Sequence, residues 1–410
     1  MVEQELLICD LTQSWSANGG GGITTYLKEK RDYILNETPH RLLQIVPGPE
    51  NKIVTNGRHI FAEVGAGQVW GSPNYRFISN TGAVHDILAR YRPDIIESLC
   101  PWVLPWTAIR HRMRYPDTAL VAGYRTDFPN AHVYRVARSM VGDFMGRRFR
   151  DLAMFYAAQT YRRFDRVYTL NQSARAMFLD MDICNVGTLP LGVNFNQFSP
   201  TLSDPEYRAS LGLTGHGPLL VYAGRIDNEK RANILVDMFR HLPPSLGADM
   251  VMLGDGKLRE GLMESAKGLP IAFPGFESDR ARLSCALASA DIYVSAMADE
   301  TFGISVLEAQ ASGLPVVGVA SGAMTERVTP GAGLLGPVDD AQAMADNVVK
   351  IWQNDYASAR QSAIEHARSS SSWHRTFDQL VNTEYAAALS ARDMRLQGVG
   401  TSDPQALRAT

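Results

Sequence analysis

Cysteine is scarce in this sequence, and what there is has no pairing pattern. Cys9, Cys100, Cys184 and Cys285 lie far apart with no C-x-x-C among them. That excludes a disulfide framework and a zinc-ribbon pattern, and it fits a reducing compartment. No stretch approaches the roughly 18 consecutive apolar residues that a membrane-spanning helix needs. The opening MVEQELLICD carries two glutamates and only a short apolar run, so a signal peptide is not expected. Short-period repeats and low-complexity tracts are missing as well. These absences leave a cytoplasmic chain, or one resting peripherally on the inner face of a membrane.

Two common phosphate-binding signatures are also missing. GDGKLR at 254–259 begins as G-x-G but has Arg259 where the dinucleotide fingerprint needs its third glycine, which weighs against a nicotinamide dehydrogenase. No G-x-x-x-x-G-K-[ST] occurs. The net charge of −3 gives no reason to expect nucleic acid, and no nucleic-acid module is recognisable. Charge is unevenly spread, however. Residues 101–170 hold twelve Arg, no Lys and five Asp, a local balance of +7 that leaves the remainder at −10. Such an asymmetry marks a partner surface or a solvated helical face.

What is present is the composition of a folded chain: 410 residues, 45% apolar and 20% charged, long enough for two domains. Two segments share one order of parts. ELLICD, LTQSWSANGGGG and ITTYLKEKRDYIL read as buried strand, glycine-rich loop and helix; GPLLVYAG, RIDNEKRA and NILVDMFRHL repeat the order. PDIIES, TALVAGY, RVYTL, ADMVMLG, IAFPG, ADIYVSA and PVVGV are further strand candidates that alternate with helical patterns. Continuous apolar strands between helices predict parallel sheets covered on both faces. The expected fold class is α/β, with two Rossmann-like doubly wound domains facing a central cleft. LPLGVNFNQFSP at 189–200 marks the boundary. The expected domains are 1–193 and 194–372, with a helix over about 373–390 packing back onto the first and a loose tail over 391–410.

Within the second domain, Arg225 and Lys230 follow directly after the strand LLVYAG. An arginine fork and a mobile ammonium suit a diphosphate, although a basic pair on a loop is by itself more simply a solvated one. ETFGISVLEAQASGLPVVG at 300–318 shifts that balance. Phe302 and Gly303 stand at a helix start, where backbone N–H groups and the positive dipole end face outward. Glu308, about one turn further in, is able to accept vicinal ribose hydroxyls, and Glu300 sugar hydroxyls. In the competing account Glu300 only complements the dipole and Glu308 is an exposed helix residue.

The 300–318 stretch resembles the Glu-x₇-Glu donor motif of retaining GT-B glycosyltransferases of family four, the glycosyl transferases group 1. YAGRIDNEKR is similar to that family's Arg-and-Lys diphosphate motif, LPLGVNFNQFSP to its interdomain linker, and NGGGGITTYL to its N-terminal glycine loop. The resemblance spans nearly the whole chain. It implies hexosyl transfer from a UDP- or GDP-linked sugar with retention, and neither a metal nor another cofactor. By it Arg225 and Lys230 stabilise the leaving diphosphate, Glu308 holds ribose and Glu300 the sugar. Gly21, Gly22, Gly224, Phe302, Gly303 and Ile304 add contacts to the donor. DMD at 180–182 imitates a metal motif of another glycosyltransferase fold and is taken as chance. One position departs from the family: GYRTDFP at 123–129 has Arg125 where relatives often have histidine. Arginine is no general base, so Arg125 is expected to meet donor phosphate or an anionic acceptor, with Asp127 the next carboxylate on the acceptor side.

Residues 131–166 space their apolar residues as a helix, with arginines between Phe and Tyr. An interfacial helix on anionic lipid and a lipid-linked acceptor are one reading. A core helix with a solvated basic face is the plainer one. A GT-B sugar-nucleotide epimerase and a catalytically silent nucleotide-sugar-binding protein remain as rival functions. The acceptor is thus left open among a lipid, a saccharide and a small metabolite.

Overall fold

A computed structural model of the chain describes residues 5–15, 21–69, 72–370 and 372–398. Two compact units are present: Met1–Pro190 together with Trp373–Thr410, and Leu191–Ser372. The chain thus changes unit at Pro190, ahead of the expected boundary after residue 193.

Among the described residues the first unit has an eight-stranded sheet. From one edge its strands are Val186–Thr188, Arg166–Thr169, Ala119–Tyr124, Ile95–Ser98, Leu7–Leu11, Arg41–Gly48, His59–Gly65 and Lys52–Asn56. All neighbours are parallel except the last pair. Leu7–Leu11, Ile95–Ser98 and Ala119–Tyr124 are buried throughout, as central strands of a parallel sheet covered on both faces must be, Asp10 and Glu97 included. Residues 41–65, on which the sequence pattern is silent, extend the sheet. Its edge strand Lys52–Asn56 is exposed at every position and carries polar residues that discourage further pairing.

The C-terminal helical run, Trp373–Gln379, a π-helical turn Leu380–Tyr385 and Ala386–Leu396, belongs to this unit. Glu384 accepts from Nε of Arg166 at 2.7 Å, and Nη1 of Arg395 donates to the carbonyl of Pro116 at 3.0 Å. Residues 391–396, expected in a loose tail, are therefore helical and tied down; residues 399–410 lie outside the described residues. The helix expected over 131–166 is also not continuous. A π-helical turn, Pro129–Tyr134, leads into Arg135–Tyr161, which breaks at Gly142 (φ 83°, ψ 171°), a conformation that glycine adopts without a Cβ penalty.

The second unit has a six-stranded, all-parallel sheet in the order Ile271–Gly275, Asp249–Leu253, Leu219–Ala223, Ile292–Val294, Val316–Val319 and Gly333–Gly336. In chain order this is 3-2-1-4-5-6, the doubly wound arrangement. The strand order reverses between Leu219–Ala223 and Ile292–Val294. Ligands of such sheets bind outside the carboxyl ends of the strands at that reversal.

Candidate active site

The two strands at the reversal deliver the acidic and basic residues that the sequence singles out. Arg225 and Lys230 follow Leu219–Ala223, and Glu300 follows Ile292–Val294. The loop at Gly224 is held from three sides. Its N–H donates to the carbonyl of Leu253 at 2.9 Å, and the N–H of Ile226 to that of Asp255 at 2.9 Å. Gly254 (φ 147°) lies so close that a Cβ would stand 1.8 Å from the carbonyl oxygen of Gly224. Beneath the loop, the Tyr222 hydroxyl donates to the carbonyl of Arg225 at 2.6 Å and that of Tyr293 to the carbonyl of Ala223 at 3.2 Å.

From this base Arg225 reaches outward, its side chain 52% exposed. Nη2 meets Glu229 at 2.7 Å and Nη1 meets Asp227. Lys230, 22% exposed, places Nζ 3.2 Å from Oε2 of Glu300. Both cations are thus held by carboxylates within reach of solvent. Asp227, Glu229, Tyr222 and Tyr293 were not foreseen; no spacing rule singles them out, because their roles follow from the loop's path.

Glu300 turns back on its own segment. Oε1 accepts the N–H of Gly303 at 3.0 Å, and the Glu300 carbonyl accepts from the N–H of Ala323 at 2.8 Å. Burial pushes its carboxyl up, but Lys230 and the N–H groups of Gly303 and Phe302 outweigh this and hold it below the usual carboxylate range. The backbone donors expected to face a ligand are therefore engaged by Glu300. Phe302 is buried beneath the guanidinium of Arg327, 4.6 Å from its ring centroid. Gly303 (φ 80°, ψ 53°) caps the helix Ile304–Ala311. Glu308 on this helix is 5% exposed rather than a solvated helix residue, and Oε1 accepts from Nη2 of Arg280 at 2.5 Å. Burial raises its carboxyl above the ordinary value against the opposing charge of Arg280.

Arg125, Asp127, Gly21 and Gly22 lie in the first unit. Arg125 is 7% exposed. Its guanidinium sits 3.5 Å above the ring centroid of Tyr26, Nη2 donates to the Tyr168 hydroxyl at 2.8 Å, and Nε has no hydrogen-bond partner among the described residues. Burial acts to lower its pKa, but Tyr168, Tyr26 and Glu97 more than reverse that. Around it lies a buried ionic cluster. Lys30 joins Asp10 and Glu97, the latter at 2.6 Å. Glu97 also accepts from Tyr26 at 2.8 Å, Tyr168 at 2.6 Å and Tyr385. Asp127 accepts from the side chain of Asn130 at 2.7 Å and from the Tyr124 hydroxyl at 3.2 Å, at the start of the π-helical turn. Gly22 opens the helix Gly22–Glu37, with Gly21 (φ 85°) before it. The rest of the glycine loop, residues 18–20, lies outside the described residues. Asp180 ends the helix Gln172–Asp180 and the Asp182 side chain is 94% exposed. Among the described residues no group of three or more His, Cys, Asp and Glu side chains is placed to hold a metal.

Each unit, with its doubly wound sheet, is of the kind from which the GT-B fold is built. Solved structures match most of the chain: a sucrose-phosphate synthase from Thermosynechococcus elongatus (TM-score 0.76, 18% identity, 94% of this chain and 100% of that one) and Anabaena HepE in complex with UDP-glucose (TM-score 0.71, 18% identity, 93% and 100%). Residues 217–354, which hold Arg225, Lys230, Glu300 and Glu308, match the family model of glycosyl transferases group 1. A GDP-mannose-dependent α-(1-6)-phosphatidylinositol dimannoside mannosyltransferase of Mycobacterium tuberculosis is 30% identical over 356 residues, 86% of this chain and 90% of the relative. A GDP-mannose-dependent α-mannosyltransferase of Mycolicibacterium smegmatis is 28% identical over 314 residues, 75% and 77%. The chain belongs to the glycosyl transferases group 1. It is a GT-B hexosyltransferase that draws on a nucleotide-sugar donor.

Proposed function

We propose that the enzyme transfers mannose from GDP-mannose to a lipid-borne acceptor with retention of configuration, and that the donor lies against Arg225, Lys230, Glu300 and Glu308. The observation that carries this reading is the cation pair at the strand reversal, Arg225 and Lys230, held by exchangeable carboxylates beside Glu300. The names of the two mannosyltransferase relatives supply the sugar and the nucleotide, and the first supplies the lipid class.

In this reading the diphosphate replaces Asp227, Glu229 and Glu300 as the partner of the two cations. As the bond from the anomeric carbon to the phosphate oxygen breaks, charge grows on the departing diphosphate, and fixed cations aimed there lower the barrier. An acceptor hydroxyl bonds to the same carbon and its proton passes to the leaving phosphate. Glu300, released from Lys230, accepts sugar hydroxyls; Glu308 accepts those of ribose. Gly224, Phe302, Gly303 and Ile304 shape the loop and helix start around them; for Gly21 and Gly22, at the start of the helix Gly22–Glu37, the donor contact is carried by the family resemblance alone. Arg125 serves as a positioning residue, since Tyr26 and Tyr168 occupy its guanidinium. Asp127 caps the turn at Pro129.

The acceptor side in this reading includes the segment Arg135–Tyr161. Met140, Phe144, Leu152 and Phe155 are 77%, 70%, 63% and 61% exposed, and Arg135, Arg138, Arg147, Arg148 and Arg150 stand among them. Exposed apolar side chains mixed with arginine suit an anionic lipid surface. Among the described residues no helix is long and apolar enough to cross a membrane. The test incubates the enzyme with radiolabelled GDP-mannose and phosphatidylinositol-containing vesicles in EDTA. Label in the organic phase as an α-mannoside is expected. Release of free mannose alone, or no turnover with any lipid, would overturn the lipid acceptor.

A further inference from the structure

The closest ion pair at Glu308 involves a residue to which the donor motif does not extend. Arg280 is the first residue of the helix Arg280–Ala288, which Asp279 caps by accepting the N–H of Ala281 at 2.8 Å. Its side chain is 36% exposed, yet it is held on two sides. Nη2 lies 2.5 Å from Oε1 of Glu308, and the guanidinium sits 4.8 Å from the ring centroid of Phe198, itself buried. A planar guanidinium stacked on a ring keeps its fork in one plane.

We propose that Arg280 is a positioning residue of the donor site: by occupying Oε1 of Glu308 it fixes the carboxylate and leaves Oε2 for the vicinal hydroxyls of the nucleotide ribose. This rests on the reading that Glu308 meets ribose. A free carboxylate on a helix would sample several rotamers, and each hydroxyl pair would have to order it. A carboxylate pinned through one oxygen needs no such ordering.

The second effect of Arg280 is on charge. Burial favours the neutral carboxyl of Glu308, and Arg280 opposes it. Among the described residues Arg280 is the charged group that acts on the Glu308 carboxyl. Tyr293, from the strand Ile292–Val294, presents a phenol whose ionisation burial suppresses. The strand Val316–Val319 is apolar. From the helix Tyr356–Ser370, Arg360 lies at Gly313 beyond the far end of the Glu308 helix and donates to Tyr356 at 3.3 Å. Removing Arg280 therefore raises the Glu308 carboxyl further. Because a raised carboxyl loses its charge as pH falls through its own value, ribose binding should fade at a higher pH without Arg280 than with it.

GDP and UDP are titrated calorimetrically in EDTA into wild type, Arg280→Met, Arg280→Lys and Glu308→Ala from about pH 5 to about pH 8, above the usual carboxylate range. Melting curves check each fold, and the nucleotide that wild type binds carries the comparison. Arg280→Met should weaken binding about tenfold near pH 7, the scale of one charge-assisted hydrogen bond. It should also move the acid-side loss of binding to higher pH, and Arg280→Lys should restore the wild-type midpoint. Wild-type affinity and midpoint in Arg280→Met would overturn the proposal. So would an equal loss at every pH accompanied by a lower melting temperature, which would mark Arg280 as support for the fold alone. If Glu308→Ala itself binds like wild type, the donor-site reading fails rather than the role of Arg280.

Discussion

Each unit gathers acids and bases at the carboxyl ends of its parallel strands, and the two clusters differ in what they leave accessible. In the first unit Lys30, Asp10 and Glu97 are fully buried and closed in by Tyr26, Tyr168 and Tyr385. In the second, Arg225 and Lys230 retain 52% and 22% exposure, Arg225 paired with acids of its own loop and Lys230 with Glu300 on the next. A buried pair without water stays as folded, because breaking it strands a charge in a low dielectric. A half-exposed pair is worth little to stability and exchanges partners easily. The same side-chain chemistry thus serves structure in one place and, in our reading, a phosphate ligand in the other. Arg125 belongs with the first group: its position in the sequence suggests a ligand contact, and its surroundings suggest a support.

Substitutions sharpen that contrast. Lys30→Met, which leaves two buried carboxylates without their ammonium, should cost about 3–5 kcal/mol of stability in urea unfolding. An unchanged midpoint would mean that the cluster is not the structural one. Glu300→Ala should reduce transfer by about 1.5–3 kcal/mol in kcat/KM, the scale of a hydrogen bond to a charged group, with less effect on the Kd of the bare nucleotide. Equal losses in both would assign Glu300 to the nucleotide instead. Glu308→Ala should weaken nucleotide binding by about 1–3 kcal/mol, read on protein that melting curves show to be folded. The smallest effect concerns the exposed helix. Phe144→Ser should cost about 1–2 kcal/mol of partitioning onto anionic vesicles, read by sedimentation at low salt, and wild-type binding of that variant would remove the helix from the lipid surface.

The fold was largely readable from the sequence. Unbroken apolar runs such as LLVYA and ALVAGY can be satisfied only by strands buried on both faces, and glycine-containing loops punctuate them. Arg225, Lys230 and Glu300 stand out in the sequence for the same reason, since each lies in the loop that follows such a strand. Contacts across long stretches of chain left no local trace. Glu97 meets Tyr385 from 288 residues away and Glu308 meets Arg280 from 28, and no periodicity encodes either. The break at Gly142 went unnoticed because the apolar spacing continues through it. The N–H of Gly303 was expected to face a ligand, yet the short side chain path from Glu300 lets that carboxylate close a turn on it first, a local competition seen only in three dimensions.

The most direct test of a donor site at Arg225, Lys230, Glu300 and Glu308 is a thermal-shift panel of GDP, UDP, ADP and their sugar conjugates in EDTA, on wild type and on an Arg225→Ala, Lys230→Ala double variant. A ligand at about 100 times its Kd adds about 2.7 kcal/mol to stability. The account predicts such a shift with one nucleotide, GDP, and its loss in the double variant. Folded wild-type protein that shifts with none of them, or a double variant that shifts as wild type does, would contradict it.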